Sequence, residues 1–86
     1  MEIRYSKTAL KFLSKLDKKS VARIRAAIQG LTLDPPVGDI KMLQGVSGEK
    51  MRLRVGAWRI IYQYTAEHTL KILLVIDIGN RGDIYK

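Results

Sequence analysis

Apolar and polar positions change their spacing several times along this chain, and each change marks an element. Glu2-Ile3-Arg4-Tyr5 alternates as a short strand does. Ser6 then stands where a helix N-cap is wanted. Ala9, Leu10, Phe12, Leu13 and Leu16 recur at helical spacing behind it, which predicts a first helix over 7–16. Asp17 is a cap for a second helix, whose apolar side is Val21, Ile24, Ile28 and Leu31 and whose stop is Asp34-Pro35-Pro36. The stretch 34–48 holds both prolines and three of the seven glycines, so it reads as a loop, with a short strand expected at 40–43.

The second half changes to period two. Met51, Leu53 and Val55 alternate with Lys50, Arg52 and Arg54, and Gly56-Ala57 follows with glycine first, the order of a two-residue type II′ hairpin turn. That turn pairs Val55 with Trp58, Arg54 with Arg59 and Arg52 with Ile61. Trp58, Ile60, Tyr62 and Tyr64 then share the face of Met51, Leu53 and Val55, and read as core side chains. A turn is expected over 65–69, around His68. The apolar run 70–78 suits a central strand covered on both faces for much of its length, broken by Gly79-Asn80-Arg81-Gly82. The predicted fold is a single α+β domain over 1–86. Two N-terminal helices pack on one face of a small, twisted, mainly antiparallel sheet in the order β-α-α-β-β-β.

At 86 residues the chain forms one small domain with little spare stability. It has no cysteine, which excludes disulfides, thiolate zinc sites and a thiol nucleophile, and its one histidine excludes a two-histidine nuclease. Sixteen Lys and Arg against eight Asp and Glu leave a formal charge of +8, which makes nucleic acid the leading partner class. No long apolar stretch or signal sequence appears, so a membrane partner is not expected and the chain reads as a cytoplasmic protein.

The hairpin concentrates that charge. Lys50, Arg52, Arg54 and Arg59 fall on one sheet face, and Glu49 at the edge is the one acid the sequence places beside them. Like charges directly opposite one another cost roughly 0.2–1 kcal/mol a pair, so folding alone gives no reason for Arg54 to face Arg59. An anion-binding surface does. Lys7, Lys11 and Lys15 fall four apart on the first helix, and Arg23 carries positive charge into the second.

Lys50-Met51-Arg52-Leu53-Arg54, leading through Gly56 to Trp58-Arg59-Ile60-Ile61-Tyr62, and the ending Ile78-Gly79-Asn80-Arg81-Gly82-Asp83-Ile84-Tyr85, carry a family resemblance. Together with the helix pair they make the whole chain resemble the RelE/ParE superfamily of small toxins from toxin-antitoxin systems, most of all the RelE-type ribosome-dependent endoribonucleases. The resemblance implies a catalytic set of Lys50, Arg52, Arg59, Arg81 and Tyr85, with no metal and no cofactor. The position of Arg52 is commonly lysine in such toxins. Arginine does not deprotonate near neutral pH, so the resemblance leaves proton transfer to Lys50 or Tyr85.

Such an enzyme cleaves mRNA in the ribosomal A site by attack of a ribose 2′-OH on the adjacent phosphate. Tyr85 would orient or deprotonate the hydroxyl, Arg59 and Arg52 would hold the phosphate with Arg54 in support, and Arg81 would stabilise the developing charge. Lys7, Lys11, Lys15 and Arg23 become candidate contacts to ribosomal RNA. The implied partners are a RelB-like antitoxin, the ribosome and its mRNA, and operator DNA reached through the antitoxin. Two other functions compete: a ParE-type toxin that inhibits DNA gyrase, and a nucleic-acid binding module without catalysis.

Overall fold

The computed structural model describes residues 1–43 and 49–80. Among these described residues five strands form one sheet: β1 (Glu2–Tyr5), β2 (Asp39–Met42), β3 (Lys50–Val55), β4 (Trp58–Glu67) and β5 (Leu70–Asn80). Two helices, α1 (Lys7–Leu13) and α2 (Lys18–Gln29), lie between β1 and β2, and a 3-10 turn, Gly30–Thr32, closes α2. The strand order is β1-β5-β4-β3-β2; β1 runs parallel to β5 and every other pair is antiparallel. This is the expected α+β architecture, with the short strand of the loop region realised as β2 at one edge.

Both helix starts are set by the residues that the pattern singled out. Ser6 Oγ accepts from the Ala9 amide at 3.0 Å, and the Asp17 carboxylate accepts from the Ser20 amide at 3.3 Å. The first helix is shorter than its spacing suggested. It ends at Leu13, with Ser14 as C-cap donating its amide to Leu10 O, so Lys15 and Leu16 lie in the connecting turn. Leu10 is 47% exposed rather than part of the apolar side, because Ala9 and Leu13 already define the buried stripe of so short a helix. In α2, Ile24 and Ile28 are buried, as is Leu31 in the 3-10 turn that follows.

Those residues cover one face of the sheet. Leu53, Val55, Ile60, Tyr62, Leu73, Val75 and Ile78 form the core with them, and Ile3, Tyr5, Met51, Trp58 and Tyr64 pack at its margin. Each fully buried aliphatic side chain contributes roughly 1.5–3 kcal/mol, so this layer supplies most of the drive to fold. The hairpin register is the predicted one, Arg52 to Ile61, Arg54 to Arg59 and Val55 to Trp58. Gly56 has φ +57 and Ala57 no positive φ, the pattern of a type II′ turn.

The second hairpin is tighter than expected. Residues 65–67 belong to β4, and the turn is His68-Thr69 alone, with His68 at φ +56. The break expected at Gly79 also comes later: β5 runs to Asn80, because Gly79 and Asn80 still find partners in Arg59 and Trp58. No described helix is long and apolar enough to cross a membrane.

Candidate functional site

The sheet face turned away from the helices is arranged in rows, because residues paired in register project to the same side. Nearest the β3–β4 turn, one row reads Asp39, Arg54, Arg59, Gly79. The next reads Lys41, Arg52, Ile61, Asp77, and the third runs from Lys50 through Gln63 to Leu74 and Arg4. Lys50, Arg52, Arg54 and Arg59 are thus brought together as the alternation predicted. Lys41 joins them from β2, a contribution hidden in sequence because no short turn fixes how that strand pairs with β3.

The sequence reading placed one acid beside the cluster, and the structure corrects this. Asp39 sits directly opposite Arg54, with Oδ1 3.4 Å from Arg52 Nη2 and Oδ2 3.8 Å from Arg54 Nε. Asp77 lies on the same face, across from Ile61, and accepts the amide of Ile78 at 2.9 Å. Lys41, Lys50, Arg52, Arg54 and Arg59 against Asp39 and Asp77 leave this patch about three charges positive among the described residues, while Arg4 at the end of the third row pairs with Glu2 and Glu67. Neither acid is close to the hairpin in sequence, so only strand pairing reveals them.

Arg52 is not an open contact. It is 5% exposed, the one charged residue buried among those described, while Lys50, Arg54 and Arg59 are partly exposed. Its Nη1 is buried and has no hydrogen-bond partner among the described residues. Arg52 therefore acts from beneath the surface, where its field is screened less than that of an exposed cation. Arg59 faces Gly79 across β5, so the residue directly opposite it in the ladder carries no side chain.

Asp77 reaches this face through an irregularity. The register passes from Ile61–Asp77 to Tyr62–Val75, which leaves Ile76 as the extra residue of a β-bulge. Ser6 secures it: the hydroxyl donates to Ile76 O, and the Ser6 amide donates to Val75 O at 2.9 Å. Without the bulge, strict alternation from Leu73 and Val75 would turn Asp77 into the core and Ile78 out of it.

The other sequence-predicted contacts lie elsewhere. Lys7, Lys11 and Lys15 are exposed on the helical layer, which covers the opposite face of the sheet. Arg23 of α2 extends to the hairpin turn, where a Cβ on Gly56 would lie 3.3 Å from its Nη2. Positive charge thus surrounds the domain, but the structure does not gather these four with Lys50 and Arg59. Arg81 and Tyr85 lie outside the described residues.

Trp58, Tyr62 and Tyr64 belong to the helix-covered face, as expected. The Tyr62 and Tyr64 rings meet edge to face at 5.6 Å, and Tyr64 donates its hydroxyl to Leu31 O at 2.8 Å. Burial, with Tyr64 beside it, pushes the Tyr62 phenol up to about 12, and its hydroxyl has no hydrogen bond of normal geometry among the described residues. It takes no part in the cationic face.

The architecture recurs in solved structures. The archaeal RelE of a RelE–RelB complex from Pyrococcus horikoshii superposes with a TM-score of 0.72 at 23% identity, over 95% of this chain and 96% of that one. A YoeB/ParE toxin from Agrobacterium tumefaciens gives 0.74 at 18% identity, over 94% and 99%. In a RelB–RelE complex from Methanococcus jannaschii the corresponding values are 0.69 and 25%, over 95% and 94%. No curated protein sequence matches significantly. The profile of the ParE toxin of type II toxin-antitoxin systems (parDE) matches residues 3–85, nearly the whole chain. By that match, and with the fold it shares with RelE, the chain belongs to the RelE/ParE superfamily and is the toxin of a type II toxin-antitoxin system.

Proposed function

We propose that this toxin is a ribosome-dependent endoribonuclease that cuts mRNA in the A site without a metal. The observation that carries the reading is the set of Lys50, Arg52, Arg54 and Arg59 on the sheet face away from the helices, with net positive charge despite Asp39 and Asp77. A face of this kind suits a polyanion. Its partly exposed members, Lys50, Arg54 and Arg59, are the ones available to meet a phosphate directly.

In the reaction, the ribose 2′ oxygen attacks the adjacent phosphorus and the bond from phosphorus to the 5′ oxygen breaks. The products are a 2′,3′-cyclic phosphate and a free 5′-OH. The 2′-OH proton passes to Tyr85 as its phenolate or to Lys50 as its free amine, and the departing 5′ oxygen takes a proton from water as it leaves. Arg59 and Arg54 hold the phosphate oxygens, Arg52 adds its charge from below, and Arg81 steadies the negative charge of the transition state. Arg81 and Tyr85 enter by their place in the sequence. The set lacks a strong base, so the ribosome supplies the near-attack geometry, and Lys7, Lys11, Lys15 and Arg23 contact its RNA from the helical side.

The partner is an acidic, amphipathic antitoxin of the RelB kind. The +8 charge of this chain and the RelE–RelB pairing of its structural neighbours support that choice. Operator DNA would be met through that antitoxin. A second reading, inhibition of DNA gyrase, draws on the ParE profile that the chain matches. Primer extension on mRNA held in programmed ribosomes separates the two. Cuts confined to the A site, abolished in Arg81→Ala and reduced in Tyr85→Phe, are expected. Intact mRNA together with inhibited gyrase supercoiling would replace the nuclease by the gyrase reading.

A further inference from the structure

Arg52 poses a problem of charge. Its guanidinium is buried, and Nη1 lacks a hydrogen-bond partner among the described residues. A buried cation needs a counter-charge, and removing one leaves an uncompensated charge in the interior. Among the described residues the carboxylate within ion-pair distance is that of Asp39.

Its position is fixed from both sides. Gly38 takes φ +144 just before it, a conformation that side-chain-bearing residues rarely adopt, and the β2–β3 ladder sets Asp39 opposite Arg54. The two carboxylate oxygens are divided, one 3.4 Å from Arg52 Nη2 and the other 3.8 Å from Arg54 Nε. Both separations exceed the about 2.7–2.9 Å of a tight charge-assisted bond. The Asp39 side chain is itself 56% exposed, whereas that of Arg52 is 6% exposed. A loosely held, solvent-facing carboxylate astride two guanidiniums offers two oxygens sharing one negative charge, as does a phosphodiester through its non-bridging oxygens.

We propose that Asp39 is the resident counter-ion of the phosphate site: it neutralises Arg52 and Arg54 until substrate arrives, and a phosphodiester then takes its place, held by Arg54 at the surface with the charge of Arg52 beneath it. This rests on reading the cationic face as the site where substrate phosphate binds. Asp39 makes and breaks no bond. It is a positioning residue that also sets selectivity, because a phosphate must be held in register to outcompete a carboxylate already in place. A stray polyanion gains less from the same arginines.

Thermal unfolding of the full chain in chloride and in rising inorganic phosphate, at constant ionic strength, tests this with Asp39→Asn and a control, Glu67→Gln. The control makes the same one-unit charge change at the far end of β4, where Glu67 pairs with exposed Arg4. Asp39→Asn is expected to melt roughly 5 °C below the unaltered chain in chloride. It should gain more from phosphate, with half-saturation at about fivefold lower concentration, while Glu67→Gln follows the unaltered chain. If Asp39→Asn is unfolded in chloride, its refolding in phosphate is the expected result, and failure to refold overturns the proposal. Equal phosphate gains in all three chains would also overturn it and leave the nuclease reading standing. A larger gain in Asp39→Asn with uncut mRNA on ribosomes would keep the counter-ion and remove the nuclease. No gain in any chain would overturn both.

Discussion

The two faces of the sheet come from the same strands in an alternation broken once, at Ile76, yet they are organised by different physics. On the helix-covered face, Leu53, Ile60, Tyr62, Leu73 and Val75 share one buried core with Ile24, Ile28 and Leu31. On the other, Arg54 faces Arg59 and Lys41 faces Arg52, pairings that cost stability. The first face holds the molecule together. The second spends some of that stability to keep like charges side by side, an arrangement that makes sense when a polyanion completes it.

This contrast can be broken most severely from the core side. Ile24→Ala removes a fully buried side chain and is expected to lower stability by about 2–5 kcal/mol, read as a drop in urea midpoint with little change in slope. Ser6→Ala comes next. It removes the α1 cap and the bond to the bulged Ile76 carbonyl together, for a loss of about 1–2 kcal/mol in the same measurement.

Tyr62→Phe is a smaller change with the opposite sign. Deleting a buried hydroxyl that lacks a normal hydrogen bond among the described residues should leave stability unchanged or raise it by up to about 1 kcal/mol. It should also alter the alkaline limb. Because burial raises the folded-state pKa of Tyr62 to about 12, above an unfolded value near 10, its titration leaves stability untouched below pH 10 and lowers it as pH rises toward 12. The variant should fall less steeply across that window, and an identical slope would contradict the burial of the phenol.

Lys50→Gln sharpens the comparison from the other side. Lys50 faces Gln63, and its loss should shift stability by less than about 0.5 kcal/mol. Cleavage on the ribosome should nevertheless fall on the order of tenfold to a hundredfold. A large loss of stability with little loss of cleavage would show that the division between the faces is not functional.

How legible these faces were in the sequence follows from how local their causes are. The hairpin register could be read because a two-residue turn with glycine first fixes which residues pair, and Ser6 and Asp17 could be read because a cap acts within three residues. The cationic set could be read because period two sorts Lys50, Arg52 and Arg54 to one side. Asp39, Lys41 and Asp77 were missed because their neighbours come through pairing with strands distant in sequence. The burial of Arg52 was missed for the same reason. Alternation says which side an arginine faces, not how much surrounds it there.

The bulge at Ile76 has a last consequence, for phase. β5 carries one more residue than its ladder with β4 can number, and Ser6 ties down the surplus. Excising Ile76 would leave Val75 inward, Asp77 outward and Ile78 inward, as they are now. Adding a residue between Ile72 and Leu73 would instead force the strand either to accept a second surplus or to turn half its length inside out. The strand therefore has slack in one direction only, and length changes elsewhere in β5 fall on the boundary between a core that must stay dry and a surface that must stay charged.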